Sequence, residues 1–161
     1  MNSQFDAIIA LPFGKMGICI QQEQLAGLTF LPPTSKTTTP QNELAYLTEA
    51  QLQLWCSNPN HFFDLPLRNN QGTPFQQRVW QFMLQIPTGE TRTYGQAAET
   101  LHSSPRAIGG ACGRNPLPII VPCHRITAQK GLGGFNQHSS GWLIEVKQWL
   151  LQHEQQPHPS A

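Results

Sequence analysis

The sequence predicts an α+β fold in which a small sheet-plus-helix domain precedes a mostly helical one. Three features carry that prediction. The first third holds three short apolar runs separated by turns, FDAIIAL, GKMGICI and LAGLTFL, the pattern of a small antiparallel sheet. Further on, Phe75, Val79, Phe82, Met83 and Ile86 recur at helical spacing, the mark of an amphipathic helix. Two short capped segments then follow in quick succession, which suggests a helix-turn-helix.

The elements read in order as follows. After the three strands, Pro32 to Pro40 is a loop of Pro, Thr and Ser. Thr39 as N-cap and Pro40 at the first helical position predict a helix with Leu44, Leu47 and Leu54 on its inner face. His61 to Leu67 reads as another strand, and RNNQG, Arg68 to Gly72, as a linker. These boundaries give an N-terminal domain over 1–67, a linker over 68–72, a second domain over 73–154 and a disordered tail over 155–161. The second domain opens on Thr73-Pro74-Phe75-Gln76, a capping box with proline in the first turn. Thr93 and Gln96 form another capping box for a helix over Tyr94 to Leu101, and Ser104 with Pro105 caps one from Arg106 to about Gly113. Ala107, Gly109, Gly110 and Ala111 leave that helix without a large outward side chain. Such a face permits close backbone approach to a DNA groove or to a neighbouring helix. Ser140 is expected to cap a final helix that carries Leu143, Val146, Trp149 and Leu150 inward.

At 161 residues and 18.0 kDa the chain is one domain or two small ones. Its four cysteines (19, 56, 112 and 123) show no CxxC spacing, so neither a structural zinc nor a disulfide framework is expected. Free thiols point to a reducing compartment, cytoplasmic or nuclear. The N-terminus, MNSQFDAIIALPFGK, has neither a basic leader nor a long apolar stretch, so no secretory signal or membrane span is expected. Net charge is only +1, but it is unevenly spread. Residues 1–66 hold two Lys against five acidic residues, a net −3, whereas residues 67–161 hold eight Lys or Arg against four Glu, a net +4. The C-terminal part is therefore the half suited to a phosphate backbone.

The chemistry concentrates in PIIVPCHR, residues 118–125. Here an apolar run reads as a short extended segment that stops at Pro122 and delivers Cys123 beside His124. A thiolate is the reactive form of cysteine, so an imidazole and the cations Arg114 and Arg125 are the expected activators. Neighbours on an extended strand point to opposite faces, so contact between Cys123 and His124 requires a turn or a bridging water. The orienting carboxylate must come from elsewhere; Glu145 and Glu154 lie in the final helix, and spacing does not choose between them. Cys19, Cys56 and Cys112 have no imidazole nearby in sequence and read as structural.

RAIGGACGRNPLPIIVPCHRI, with TYGQAAETL upstream and VKQWLLQHE downstream, resembles the DNA alkylguanine alkyltransferases, or methylated-DNA–protein-cysteine methyltransferases. The match covers roughly residues 73–154, and its NPxPIIxPCHR core is highly specific. The resemblance implies a ribonuclease H-like N-terminal domain and a winged-helix-like C-terminal one. It implies repair of double-stranded DNA containing alkylated bases, by a monomer that needs no cofactor, no metal and no membrane. The alkyl group on O6 of guanine, or less readily O4 of thymine, would pass irreversibly to Cys123. His124, through a water, would take the thiol proton, and Glu154 would orient His124; Glu145 has no counterpart role. Asn115 would be the hinge behind the helix-turn-helix, and Lys147 a lysine near the active site. Arg106 would fill the gap left by the extruded base, and Tyr94 would turn the flipped nucleotide's phosphate and help protonate the departing guanine. Ala107, Gly109, Gly110, Arg114 and Arg125 complete the expected DNA-contacting set, with Phe135, Pro118 and Val121 around the substrate. A slim helix suits a minor-groove approach, and a base must leave the stack before its O6 can be reached.

Some features depart from that pattern. The stretch from Tyr94 to Arg106 is slightly shorter than in some relatives, Phe135 stands where some have Tyr, and a longer loop follows to Gly141. Two rival readings use the same residues. A Cys–His–Glu hydrolase would regenerate its thiol. A non-catalytic alkylated-DNA-binding or regulatory protein would do without an acceptor cysteine, and here Cys123 is present.

Overall fold

The computed structural model describes residues 4–134 and 141–156. The chain divides into two compact units, the first ending at Asn70 and the second spanning Gln71–Gln156. Both mix helix and strand, as the α+β reading expects.

The first unit is an antiparallel meander, β1 (Ala7–Leu11), β2 (Gly14–Gln21) and β3 (Gln24–Leu31), in the order β1-β2-β3, with one helix, α1 (Glu43–Ser57), packed on it. Gln22 and Glu23 both take positive φ, 52° and 61°, which matches the twist that a two-residue hairpin loop needs. Met16, Ile18, Leu25 and Leu28 form the sheet's buried face, each worth roughly 1.5–3 kcal/mol. The α1 cap is Asn42, whose side chain accepts from Ala45 N at 2.8 Å, not Thr39. The chain at Thr38 still runs along the β1 edge (Thr38 N to Ile8 O, 2.9 Å), and Gln41 N is held by Asp6 O at 2.8 Å, so no helix can begin at Pro40. The inner face is correspondingly Ala45, Thr48, Leu52 and Trp55, while Leu47 and Leu54 are exposed. His61 to Leu67 is not a strand either. It pairs with the sheet through the isolated Leu25–Leu67 bridge, and Gln51 ties down its middle by bonding both N and O of Asp64.

The second unit contains α2 (Pro74–Leu84), α3 (Tyr94–Leu101), α4 (Pro105–Gly113) and α5 (Trp142–Gln155), with a two-residue parallel pair, β4 (Arg92–Thr93) and β5 (Ile126–Thr127). Local signals set these helices. Thr73–Gln76 and Thr93–Gln96 both form complete capping boxes, and Ser104 Oγ accepts from Ala107 N at 3.1 Å. His102, left-handed at φ 54°, ψ 52°, ends α3 and turns the chain into α4. Val79 and Met83 of α2 are buried, as is Trp80, whose Nε1 donates to Ala111 O at 3.0 Å and pins the last turn of α4 to α2. Gly141 occupies the N-cap position of α5 with no side-chain cap; Ser140, expected there, lies outside the described residues. Leu143, Val146 and Leu150 face inward, whereas Trp149 is half-buried and stacks on His153 at 4.8 Å. Among the described residues no helix is long and apolar enough to cross a membrane.

Candidate active site

The segment 115–125 that joins α4 to β5 is a compact turn, not the extended run its apolar residues predict. Pro116, Pro118 and Pro122 cannot donate to a ladder, and the Asn115 side chain supplies the closing bonds. Its Nδ2 donates to Val121 O at 2.8 Å, and its Oδ1 accepts from Leu117 N at 3.0 Å. Ile119, 3% exposed, sits at φ 75°, a conformation that costs a β-branched residue of order 1–3 kcal/mol. Cys123 N then reaches back over Pro122 to Val121 O at 2.8 Å, and Cys123–Arg125 wind into one turn of 3-10 helix. Successive side chains on such a turn diverge by about 120°. Cys123, His124 and Arg125 therefore point three ways, and all three are buried.

His124 and Arg125 converge on one carboxylate. Glu154, in the last turn of α5, receives His124 Nε2 at 3.0 Å on Oε2. Arg125 grips both of its oxygens, Nε on Oε1 at 3.0 Å and Nη2 on Oε2 at 2.6 Å. The remaining guanidinium donors reach Ile86 O at 2.6 Å and Thr88 Oγ1 at 3.2 Å. Burial alone would raise the Glu154 carboxyl, but the hydrogen bonds from His124 and Arg125 hold it at about 2. Burial lowers the basicity of His124; Glu154 opposes this, and the charges of Arg125 and Lys147 reinforce it. The resting pair is thus an ionised carboxylate and a neutral imidazole. Glu145, by contrast, is exposed. Arg125 was expected to contact DNA and to activate the thiol. Its burial and its four bonds remove it from both sets, since a guanidinium that is already paired inside the protein offers nothing to a phosphate.

The Cys123 thiol is pushed up by burial, against the hydrogen bond of the Asn115 side chain and the charge of Lys147. Lys147 is fully buried on α5. Its Nζ donates to Ile126 O at 2.7 Å, Leu132 O at 2.6 Å and Gly134 O at 2.8 Å. Burial lowers it to about 8, with Cys123 and Cys112 opposing the fall. Tyr94, the first residue of α3, donates its hydroxyl to the same Gly134 O at 3.3 Å, and its ring lies 5.8 Å from Lys147 Nζ. Burial, and then proximity to Cys112 and Cys123, pushes Tyr94 up to about 12, so its hydroxyl keeps its proton. Gly133 makes this packing possible: at φ 72° it lies where an added Cβ would be 2.8 Å from Tyr94 Cε2. Cys112, read from sequence as structural, lies close enough to Cys123 and Lys147 for their charges to influence it, although burial is the main cause of its raised thiol. No imidazole lies near it in sequence, so spacing gave no sign of this.

Arg106 is exposed in the first turn of α4, and Gly110 is exposed with open space where a side chain would be. Ala107 and Gly109 are half-buried, an added Cβ on Gly109 lying 3.9 Å from the Tyr94 ring, and Arg114 is exposed at the helix end. Pro118 is buried and Val121 half-buried beside the acceptor turn. Phe135 lies outside the described residues, as does most of the loop that follows it. Among the described residues no cluster of His, Cys, Asp or Glu is gathered to hold a metal.

The family model for the DNA binding domain of 6-O-methylguanine DNA methyltransferase matches residues 74–156. A methylated-DNA–protein-cysteine methyltransferase of Methanosarcina acetivorans is 36% identical over 157 residues, covering 92% of this chain and 96% of its own. One from Metallosphaera sedula is 31% identical, covering 89% and 88%. In structure, the O6-methylguanine methyltransferase of Mycobacterium tuberculosis superposes with a TM-score of 0.77 at 33% identity, over 96% of this chain and 94% of that one. The same organism's OGT, solved in complex with DNA, gives 0.74 at 35% identity, over 92% and 91%. With a cysteine, an imidazole and a carboxylate folded together on the matching segment, the chain belongs to the methylated-DNA–protein-cysteine methyltransferases.

Proposed function

We propose that this protein repairs duplex DNA by drawing an O6-alkylguanine out of the stack through the minor groove and moving the alkyl group irreversibly onto Cys123. O4-alkylthymine is the poorer substrate. The observation that carries the reading is the buried pair that His124, on the same turn as Cys123, makes with Glu154 of α5. The Cys123 sulfur attacks the alkyl carbon, the carbon–oxygen bond breaks, and its electron pair goes to O6 of the base. The thiol proton passes through a water to His124, which burial keeps neutral and therefore able to accept it. Glu154 stabilises the imidazolium that forms. Tyr94, still protonated, is the donor available to the departing purine. The Asn115 side chain and the charge of Lys147 favour the thiolate.

The DNA-facing part is α4. Arg106 enters the space vacated by the base, while Ala107, Gly109 and Gly110 let the helix backbone come close; Arg114 meets a phosphate. Extrusion costs a few kcal/mol, which contacts of this kind offset. Pro118, Val121 and Phe135 border the extruded base. The protein acts as a monomer in the cytoplasm or nucleus, and no step requires a cofactor.

Incubation with duplex DNA carrying O6-methylguanine tests this by intact-protein and peptide mass spectrometry. The expected result is the added mass of one methylene, on Cys123 alone, ending after one equivalent. Continued turnover would indicate a hydrolase, and modification of another cysteine would move the acceptor; either outcome defeats the reading.

A further inference from the structure

We propose that Arg125 is a positioning residue of the transfer reaction: by holding both oxygens of Glu154 it fixes the carboxylate that orients His124 and balances that carboxylate's charge. The proposal rests on the reading of Cys123 as acceptor and adds a residue that touches neither substrate nor thiol.

The geometry is specific. Glu154 Oε2 accepts from two groups at once, Arg125 Nη2 at 2.6 Å and His124 Nε2 at 3.0 Å, while Oε1 accepts from Arg125 Nε at 3.0 Å. A planar fork on a planar carboxylate fixes its plane, which a single ammonium donor cannot do. With Oε2 accepting, His124 Nε2 carries its proton, and Nδ1 is left as the basic nitrogen. The fork is itself anchored outside the pair, by Ile86 O at 2.6 Å and Thr88 Oγ1 at 3.2 Å on the segment that follows α2. The clamp therefore ties three parts of the second unit to one imidazole.

The charge balance has a further consequence. Burial is the main cause that holds His124 neutral; Glu154 pulls toward the charged ring, and the charge of Arg125 adds to burial against that pull. Charges that act on His124 come from Glu154 and Lys147 of α5 and from Arg125 of its own turn, and the post-α2 segment bonds the Arg125 fork through a carbonyl and a hydroxyl. Of these, Glu154 favours the charged ring, and Arg125 and Lys147 oppose it.

The test uses full-length protein labelled with ¹³C and ¹⁵N at histidine, the His124 signals being assigned by their loss in His124→Gln. In wild type, His124 is expected neutral at pH 7 with the proton on Nε2. In Arg125→Gln its titration should move up by roughly one pH unit or more, the size of a neighbouring-charge effect. Arg125→Lys keeps the charge without the fork. Its His124 titration should stay near wild type, while methyl transfer from O6-methylguanine DNA slows about 10-fold or more through lost alignment. An imidazolium at pH 7 in wild type, or a His124 titration unmoved in Arg125→Gln, overturns the proposal. Should Arg125→Gln not fold, wild-type transfer rates in Arg125→Lys overturn it equally. If wild-type Cys123 takes no methyl group, the acceptor reading fails while the histidine titration still reports on the clamp.

Discussion

The Arg125–Glu154 fork makes a quantitative claim about stability that is separate from its part in the reaction. The perturbation is a cycle of three variants: Glu154→Gln, Arg125→Met and the double. Both partners are buried, 7% and 9% exposed, and two charge-assisted bonds join them. Bonds of this kind contribute about 1.5–3 kcal/mol each. A second route gives a similar size: a carboxyl displaced from 4.5 to about 2 corresponds to about 3 kcal/mol in favour of the ionised native state. Glu154→Gln strands a guanidinium against Ile86 O and Thr88 Oγ1, and Arg125→Met strands a carboxylate against His124. Each single variant should therefore lose about 3–5 kcal/mol. The double removes both charges together, so it should lose about 2–3 kcal/mol less than the two singles added. Urea unfolding at pH 7, with the dependence on denaturant checked for constancy, measures all four corners. Additive losses would show that the fork holds no coupling energy and refute the reasoning.

Three further outcomes follow from the same structure. Gly133→Ala should destabilise the protein by roughly 1–3 kcal/mol, because the backbone is at φ 72° and the new Cβ meets the Tyr94 ring at 2.8 Å; thermal unfolding reads this, and an unchanged midpoint would count against the packing described. Arg106→Ala should leave that midpoint unchanged, since the side chain is exposed, yet slow methyl transfer from duplex DNA by more than from a single-stranded oligonucleotide; equal slowing would deny it a role in base extrusion. Acid should destabilise wild type in two stages. His124 is held below its ordinary 6.5, so its contribution, present above that pH, is lost as the pH falls. Glu154, lowered to about 2, contributes fully above 4.5 and loses that contribution as the pH falls toward 2. Urea midpoints that stay level between pH 6.5 and 3 would contradict both.

The sequence revealed most where structure is local. The starts of α2, α3 and α4 were legible because a capping Thr or Ser and its partner three residues on satisfy the first N–H groups whatever the rest of the fold does. Thr39-Pro40 carries the same kind of signal, but the pairing of Thr38 with Ile8 overrides it. No local pattern records a strand edge thirty residues away. The prolines of 116–122 were equally plain in the sequence, but their consequence was not: the Asn115 side chain converts an apparent strand into a turn, and the turn brings His124 and Arg125 to Glu154. Glu154 was distinguished from Glu145 only through resemblance. Arg125 was misread because a cation in a basic half looks like a phosphate contact until its carboxylate is found.

The bond from Trp80 to the last turn of α4 has a practical use. It places a natural fluorophore on the carbonyl end of the helix that carries Arg106. The other three indoles, Trp55, Trp142 and Trp149, lie on α1 and α5. A strain of the protein retaining only Trp80 would therefore report displacements of α4 by emission colour alone, without an attached dye.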